Sequence, residues 1–117
     1  MEKSTAIGAL AALAQDTRLD IFRMLVQAGE AGLPAGQIGE PLGLPSATLS
    51  FHLSQLKHAG LVACRRDGRS VIYTAGYAAM TELVGYLTEN CCGGNAAACD
   101  TATLAKKRAG ALRRKER

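Results

Sequence analysis

Tryptophan is absent from the sequence, and aromatic residues make up only 4% of its 117 residues. Because hydrophobic residues still account for 48%, we expect a core built from leucine, alanine, valine and isoleucine. No run of about 18 apolar residues occurs, which argues against a membrane-spanning helix. With 21% charged residues and a mean hydropathy of +0.04, a wholly disordered chain is excluded. The length fits one compact domain.

The N-terminal stretch is also not expected to be a secretory signal. The apolar stretch near the N-terminus is short, stops at Gln15 and Asp16, and continues into a patterned helix. We therefore expect a soluble, cytoplasmic protein that does not contact a membrane.

Basic residues are distributed unevenly along the chain. The formal net charge is +4, but residues 100–117 alone carry +5, so the rest of the chain carries −1. Within that remainder, one basic cluster is opposed only by Asp67; it comprises Lys57, Arg65, Arg66 and Arg69. Such a local excess suits a polyanion. The basic tail has two open interpretations, contact with that polyanion or a solvated end that keeps the protein soluble.

The spacing of apolar residues predicts five helices. They cover residues 4–14, 17–28, 35–42, 46–58 and 77–91, with Ser4 or Thr5 capping the first and Asp16 capping the second. Their apolar stripes are Ile7, Leu10, Ala11 and Ala14 in the first; Leu19, Phe22, Leu25 and Val26 in the second; Leu49, Leu53 and Leu56 in the fourth; and Met80, Leu83, Val84 and Leu87 in the last. Gly29 and Gly60 are placed to end the second and fourth helices.

Two strands are predicted after the fourth helix. Residues 61–64 and 70–74 are β-branched or alternating, and the Asp-Gly pair between them is a strong hairpin signal. Four helices, a hairpin and a last helix, in that order, predict a mainly α (α+β) winged helix-turn-helix. We place the folded domain at residues 1–92 and a cysteine-containing, then basic, flexible tail at residues 93–117.

The fourth predicted helix and the hairpin are candidates for binding DNA. The buried leucines of that helix leave six residues at or near its outer side: Ser46, Ala47, Thr48, Ser50, His52 and Gln55. Small hydroxyls and amides at a helix start suit the major groove, and the hairpin residues Arg65, Arg66 and Arg69 suit the adjacent backbone or minor groove. An ordinary polar face is the alternative interpretation. His52 is equally well explained as a satisfied histidine that fixes the packing of the helix.

Two stretches resemble the ArsR/SmtB family of arsenic- and metal-responsive repressors. SATLSFHLSQLKHAGLVACRRDGRSVIYTA is similar to that family's recognition helix and wing, and ALAQDTRLDIFRML to its second-helix signature. The resemblance covers roughly residues 5–90. It implies a homodimer, paired through the first and last helices, that binds an imperfect inverted repeat in operator DNA and blocks transcription until an inducer arrives. Terminal helices rich in alanine, leucine and glycine independently favour dimerisation, because a small domain leaves part of their apolar surface uncovered.

Thiols are the remaining candidates for ligand chemistry. The sequence has four, Cys64, Cys91, Cys92 and Cys99, and without a secretory signal a disulfide framework is disfavoured. Cys91 and Cys92 are adjacent, and Cys99 can turn back to them across a glycine-containing segment. Three thiolates suit a soft, thiophilic centre, so we predict a site for As(III) or Sb(III) at these three cysteines and no organic cofactor. Binding there would distort the end of the last helix, because adjacent helical side chains point about 100° apart.

Other interpretations of the cysteines stay open. Cys91, Cys92 and Cys99 are alternatively incidental thiols, a redox switch in a repressor of the same fold, an arsenic carrier site or part of a thiol enzyme. No anion-cradling loop frames them, so we do not expect an enzyme. The family's paired cysteines are missing from residues 37–44 and its zinc-sensing ligands from the last helix, which argues against sensing zinc, nickel or cobalt. Cys64, two residues after Val62, is expected to be buried and inert.

Overall fold

A computed structural model describes residues 1–94 of the chain. Its helices are α1 (Lys3–Leu13), α2 (Asp16–Ala28), α3 (Ala35–Leu42), α4 (Ser46–His58) and α5 (Tyr77–Leu87). Its strands are β1 (Leu33–Pro34), β2 (Val62–Asp67) and β3 (Ser70–Ala75). This order confirms the predicted winged helix-turn-helix, with α3 and α4 as the helix-turn-helix and the β2–β3 hairpin as the wing.

Contacts divide the chain into a winged-helix unit, Met1–Tyr86, and a second unit that begins at Leu87. Almost all of the predicted tail, residues 93–117, lies outside the described residues, so its flexibility stays a prediction. Within residues 1–94, no helix is long and apolar enough to cross a membrane.

The core of the winged-helix unit lies where α2, α3 and α4 meet. Its largest fully buried side chains are Ile21, Leu25, Ile38, Leu56 and Leu61. The predicted inward face of α4 is confirmed, since Leu49, Leu53 and Leu56 are all buried. Three leucines at steps of four and three residues stand on one side of a helix, which is why the spacing located this face correctly.

The predicted apolar stripe of α2 is partly wrong, whereas that of α1, which was assigned to the dimer interface, lies outside the core. In α1 the buried residues are Ala6, Ala9 and Ala12, whereas Ile7 and Leu10 are 56% and 42% exposed. Small alanine side chains allow α1 to lie close to the neighbouring helices α2 and α4. In α2 the buried residues are Ile21, Phe22 and Leu25, and Leu19 is exposed because it stands on the opposite side of the helix from Ile21.

Predicted boundaries also move in three helices. Helix α1 begins at Lys3, after Glu2 as its N-cap residue and without a side-chain cap from Ser4 or Thr5, and it ends at Leu13. Helix α2 begins at Asp16, one residue early, because Gln15 is its cap and accepts a hydrogen bond from the Arg18 backbone N–H at 2.8 Å. Helix α5 ends at Leu87 instead of at Cys91, and a short 3₁₀ turn follows at Cys91–Gly94.

The wing is longer than predicted. Strands β2 and β3 pair antiparallel from Val62↔Ala75 to Asp67↔Ser70, which leaves a two-residue turn with Gly68 at φ +64°. Arg65 and Arg66 therefore lie within β2 and not in the connection.

Strand β1 was not predicted, because two residues are too few to show an alternating pattern. It pairs with β3 through Leu33↔Tyr73 and Pro34↔Ile72. Gly32, just before it, has φ +67°, and a Cβ there would lie 2.4 Å from the Tyr73 carbonyl oxygen. Only glycine lets the backbone approach β3 this closely.

Candidate nucleic-acid interface and thiol pair

The first three turns of α4 present an exposed outer face. Five of the six predicted contact residues lie on it: Ser46, Ala47, Thr48, Ser50 and Gln55. The helix contains no acidic residue, and no side chain caps its N-terminus, where Pro45 is the N-cap residue. The backbone N–H groups of the first turn are thus accessible to an acceptor such as a phosphate oxygen. These features give α4 the chemistry of a recognition helix.

His52, the sixth predicted contact, does not lie on the outer side of α4. It is only 9% exposed, and its Nδ1 lies 3.4 Å from a terminal nitrogen of Arg18. The Nε of Arg18 also donates a hydrogen bond to the Ala12 carbonyl oxygen at 2.7 Å. Arg18 therefore connects the end of α1 to α4, and of the two roles left open for His52 the structure favours helix packing.

The environment of His52 lowers its pKa below the ordinary value of 6.5. Burial is the larger cause and the positive charge of Arg18 the second. Charged side chains occur on every element packed against α4: Lys3 on α1; Asp16, Asp20 and Arg23 with Arg18 on α2; Glu40 on α3; and Arg65, Arg66 and Asp67 on β2. Among these described residues, Arg18 is the charge that acts on His52.

We predict that the free energy of unfolding decreases as the pH falls below about 6.5. The imidazole of His52 takes up a proton in the unfolded chain at a higher pH than in the folded chain, so acid favours unfolding until the pH passes the lowered folded pKa. The slope is a fraction of the limiting value of about 1.4 kcal/mol per pH unit. Urea unfolding at several pH values above the carboxylate range measures it.

His52→Gln removes this titration and is expected to flatten the slope. His58→Gln is the matched control, because it removes an exposed histidine from the same helix without touching Arg18. An equal slope in the wild type and in His52→Gln contradicts the prediction.

Arg65, Arg66 and Arg69 are all exposed, as the prediction of a DNA-contacting wing requires, but their contacts differ. Arg65 donates hydrogen bonds to the carbonyl oxygens of Glu30 at 3.2 Å and Ala31 at 3.0 Å. Its guanidinium is therefore held against the 3₁₀ turn before β1, and the residue fixes the wing to the body of the domain.

Cys91 and Cys92 bring their sulfur atoms to 3.7 Å. They lie in the turn after α5, where Asn90 and Cys92 have positive φ of 55° and 57°. The expectation that the helix end must distort to bring the thiols together is wrong, because α5 ends four residues before Cys91 and the left-handed backbone already turns both sulfurs the same way.

The third predicted ligand, Cys99, lies outside the described residues. Within residues 1–94 no group of three His, Cys, Asp or Glu side chains could hold a metal ion. The three-cysteine site therefore stays a prediction.

Cys64 differs from its expected environment. Its side chain is half-buried, and its Sγ accepts a hydrogen bond from the Nζ of Lys57 at 3.2 Å. The strand position explains the partial burial, because Cys64 stands two residues after the buried Val62 on the same face of β2.

Phe51 was missed in the sequence. It is 56% exposed on the outer side of α4, among the small polar residues of that face. A helical projection of residues 46–58 would have revealed it, because Phe51 stands opposite the inward leucines.

Comparison with known proteins agrees with this architecture. Residues 13–65 match a family model described as a helix-turn-helix domain. The "Putative arsenical resistance operon repressor ArsR" of Halobacterium salinarum is 43% identical over 54% of this chain and 48% of its own length. The "Probable mercury resistance operon repressor" of Streptomyces lividans is 35% identical over 79% of this chain and 70% of its own length.

Solved structures are similar over most of the described residues. HlyU from Vibrio cholerae has a TM-score of 0.59 and 36% identity, and the match covers 74% of this chain and 97% of that one. A homodimeric winged helix-turn-helix DNA-binding domain from Mycobacterium bovis has a TM-score of 0.59 and 28% identity, with 74% and 81% covered.

Fold and comparisons together define the class of protein, a winged helix-turn-helix domain with an exposed recognition helix. The chain belongs to the ArsR/SmtB family of such regulators. It spans about half to two thirds of the length of the first curated relatives that it matches.

Proposed function

We propose that the protein is a transcriptional repressor that binds operator DNA as a homodimer. The observation that carries this proposal is the exposed outer face of α4 beside a wing on which Arg66 and Arg69 are exposed. Hydroxyl and amide groups on the helix suit the edges of bases in the major groove, and guanidinium groups suit the phosphates that flank it.

Dimerisation is proposed through the apolar surfaces of α1 and α5. Ile7 and Leu10 on α1, and Val84 and Leu87 on α5, are each more than 40% exposed. Burying such side chains contributes roughly 25 cal/mol per Å² of apolar surface. The similar domain from Mycobacterium bovis is described as homodimeric. A two-fold dimer presents two copies of α4, and successive major grooves are about 34–36 Å apart.

The proposed inducer is As(III) or Sb(III), bound by Cys91, Cys92 and Cys99. The sulfur atoms of Cys91 and Cys92 are 3.7 Å apart, so one thiophilic centre can bind both of them. Two relatives are described as repressors of arsenical and mercury resistance operons, which supports a soft inducer.

A DNA-binding titration with several effectors tests both halves of the proposal. Fluorescence anisotropy of a labelled duplex from the upstream region is measured with the full chain, and arsenite, antimonite, zinc or peroxide is then added. We expect tight, salt-dependent binding that arsenite or antimonite reverses and zinc does not. If the protein binds the upstream duplex no better than a scrambled duplex, the proposed repressor function is wrong. If peroxide releases the DNA and arsenite does not, the inducing event is thiol oxidation and not metalloid binding.

A further inference from the structure

Phe51 is the one aromatic residue that the structure of residues 1–94 leaves exposed. The other phenylalanine, Phe22, is 6% exposed, whereas Phe51 is 56% exposed. Leaving a phenyl ring in water forgoes the stabilisation that its burial would contribute. On a helix that is proposed to bind DNA, an exposed ring of this kind would be stabilised by contact with an apolar group of the DNA.

The ring protrudes from the centre of the outer face of α4. Helical periodicity places Phe51 opposite the buried leucines and next to residues one turn away in either direction. Those neighbours are Ala47, Thr48, Ser54 and Gln55, all of them exposed. Three of the four are smaller than a phenyl ring, so Phe51 reaches further from the helix axis than the residues around it.

The ring is also held in place. The phenyl ring packs edge-to-face with the imidazole of His52, with the ring centroids 5.5 Å apart and the planes at 63°. His52 is itself buried and lies beside Arg18. This contact restrains the side chain before any partner arrives, which reduces the entropy lost on binding.

We infer that Phe51 determines sequence specificity by contacting the C5-methyl group of a thymine in the major groove. This inference rests on the proposed function. A phenyl ring has no hydrogen-bonding group for a phosphate or a polar base edge, and the thymine methyl is the apolar group that the major groove displays. DNA is favoured over a protein as the occupant because α4 has no acidic residue, and because Lys57, Arg66 and Arg69 are exposed on α4 and the wing.

Deoxyuridine substitution tests the contact with the full-length protein. A preferred site is first selected from random-sequence duplexes, and each thymine of that site is then replaced by deoxyuridine, which removes only the methyl group. We expect wild-type affinity to fall by about threefold to fivefold at one thymine in each half-site. Phe51→Ala should bind the thymine duplex more weakly and should no longer distinguish it from the deoxyuridine duplex.

Ser54→Ala is the matched control, because it alters the neighbouring exposed position of α4 and should keep the thymine preference. Phe51→Leu retains an apolar side chain and should keep part of the thymine preference.

Equal wild-type affinity for every substituted duplex overturns the inference, as does a Phe51→Ala variant with an unchanged thymine preference. A change in oligomeric state without a change in that preference assigns the ring to a protein contact. If no duplex is selected at all, the proposed function itself fails.

Discussion

Replacing both Arg66 and Arg69 with alanine is expected to weaken DNA binding by more than about 1,000-fold at low salt. Both side chains are exposed on the wing, whereas Arg65 is held by two backbone carbonyl oxygens. If Arg66 and Arg69 each neutralise one phosphate, a dimer loses four contacts. The slope of log K against log salt then becomes shallower by about 3.6, because each contact contributes about 0.9.

Anisotropy titrations at several salt concentrations measure both quantities on the operator and on a scrambled duplex. The loss should be similar on the two duplexes, because phosphate contacts carry no sequence information. Arg23→Ala is the matched control, because it removes the same charge from an exposed residue of α2 that belongs neither to the wing nor to α4. An unchanged salt slope in the double variant, or a loss confined to the operator, contradicts a phosphate-binding wing.

Replacing Cys91 or Cys92 with serine is expected to abolish the release of DNA by arsenite, while the DNA affinity stays within about twofold of the wild type. The two sulfurs lie 3.7 Å apart in the turn after α5, outside α4 and the wing, so the substitution removes a ligand without altering the recognition surface. Wild-type affinity should fall about 5- to 150-fold with saturating arsenite, the usual range for coupled sites, and the variants should show a ratio near one.

Cys64→Ser is the control for this experiment. Cys64 lies on β2 beside Lys57, so its loss tests whether any thiol suffices. We expect Cys64→Ser to retain the arsenite response, and Cys99→Ser to lose it as Cys91→Ser does. Normal release of the Cys91→Ser protein would contradict the proposed thiol site.

Much of the fold could be predicted from local patterns. The inward leucines of α4, the short α3 at Ala35–Leu42 and the hairpin turn all depend on residues close in sequence. The order of elements then defines the winged helix-turn-helix without any long-range information.

The features that could not be predicted depend on contacts between distant parts of the chain. Periodicity shows that Ile7 and Leu10 share a face, but it does not show that the alanines of α1 pack into the core. His52 is buried because Arg18, 34 residues earlier in the chain, lies beside it. Such a long-range pairing leaves no trace in the spacing of α4.

The end of α5 was missed for a different reason. Residues 88–91 contain no proline or glycine, and the weaker stop signal of Asn90 was not used to end the helix before Gly93. Asn90 adopts a positive φ, which asparagine tolerates better than most residues. That turn, and not a distorted helix, brings the sulfurs of Cys91 and Cys92 together.

The coupling between thiol site and DNA is tested most directly by measuring arsenite affinity with and without bound operator. Linkage requires that operator DNA weaken arsenite binding by the factor by which arsenite weakens DNA binding, about 5- to 150-fold. Isothermal titration of arsenite into the free dimer and into the dimer on its duplex gives the two affinities. The account predicts weaker arsenite binding on DNA by that same factor; equal affinities would contradict it.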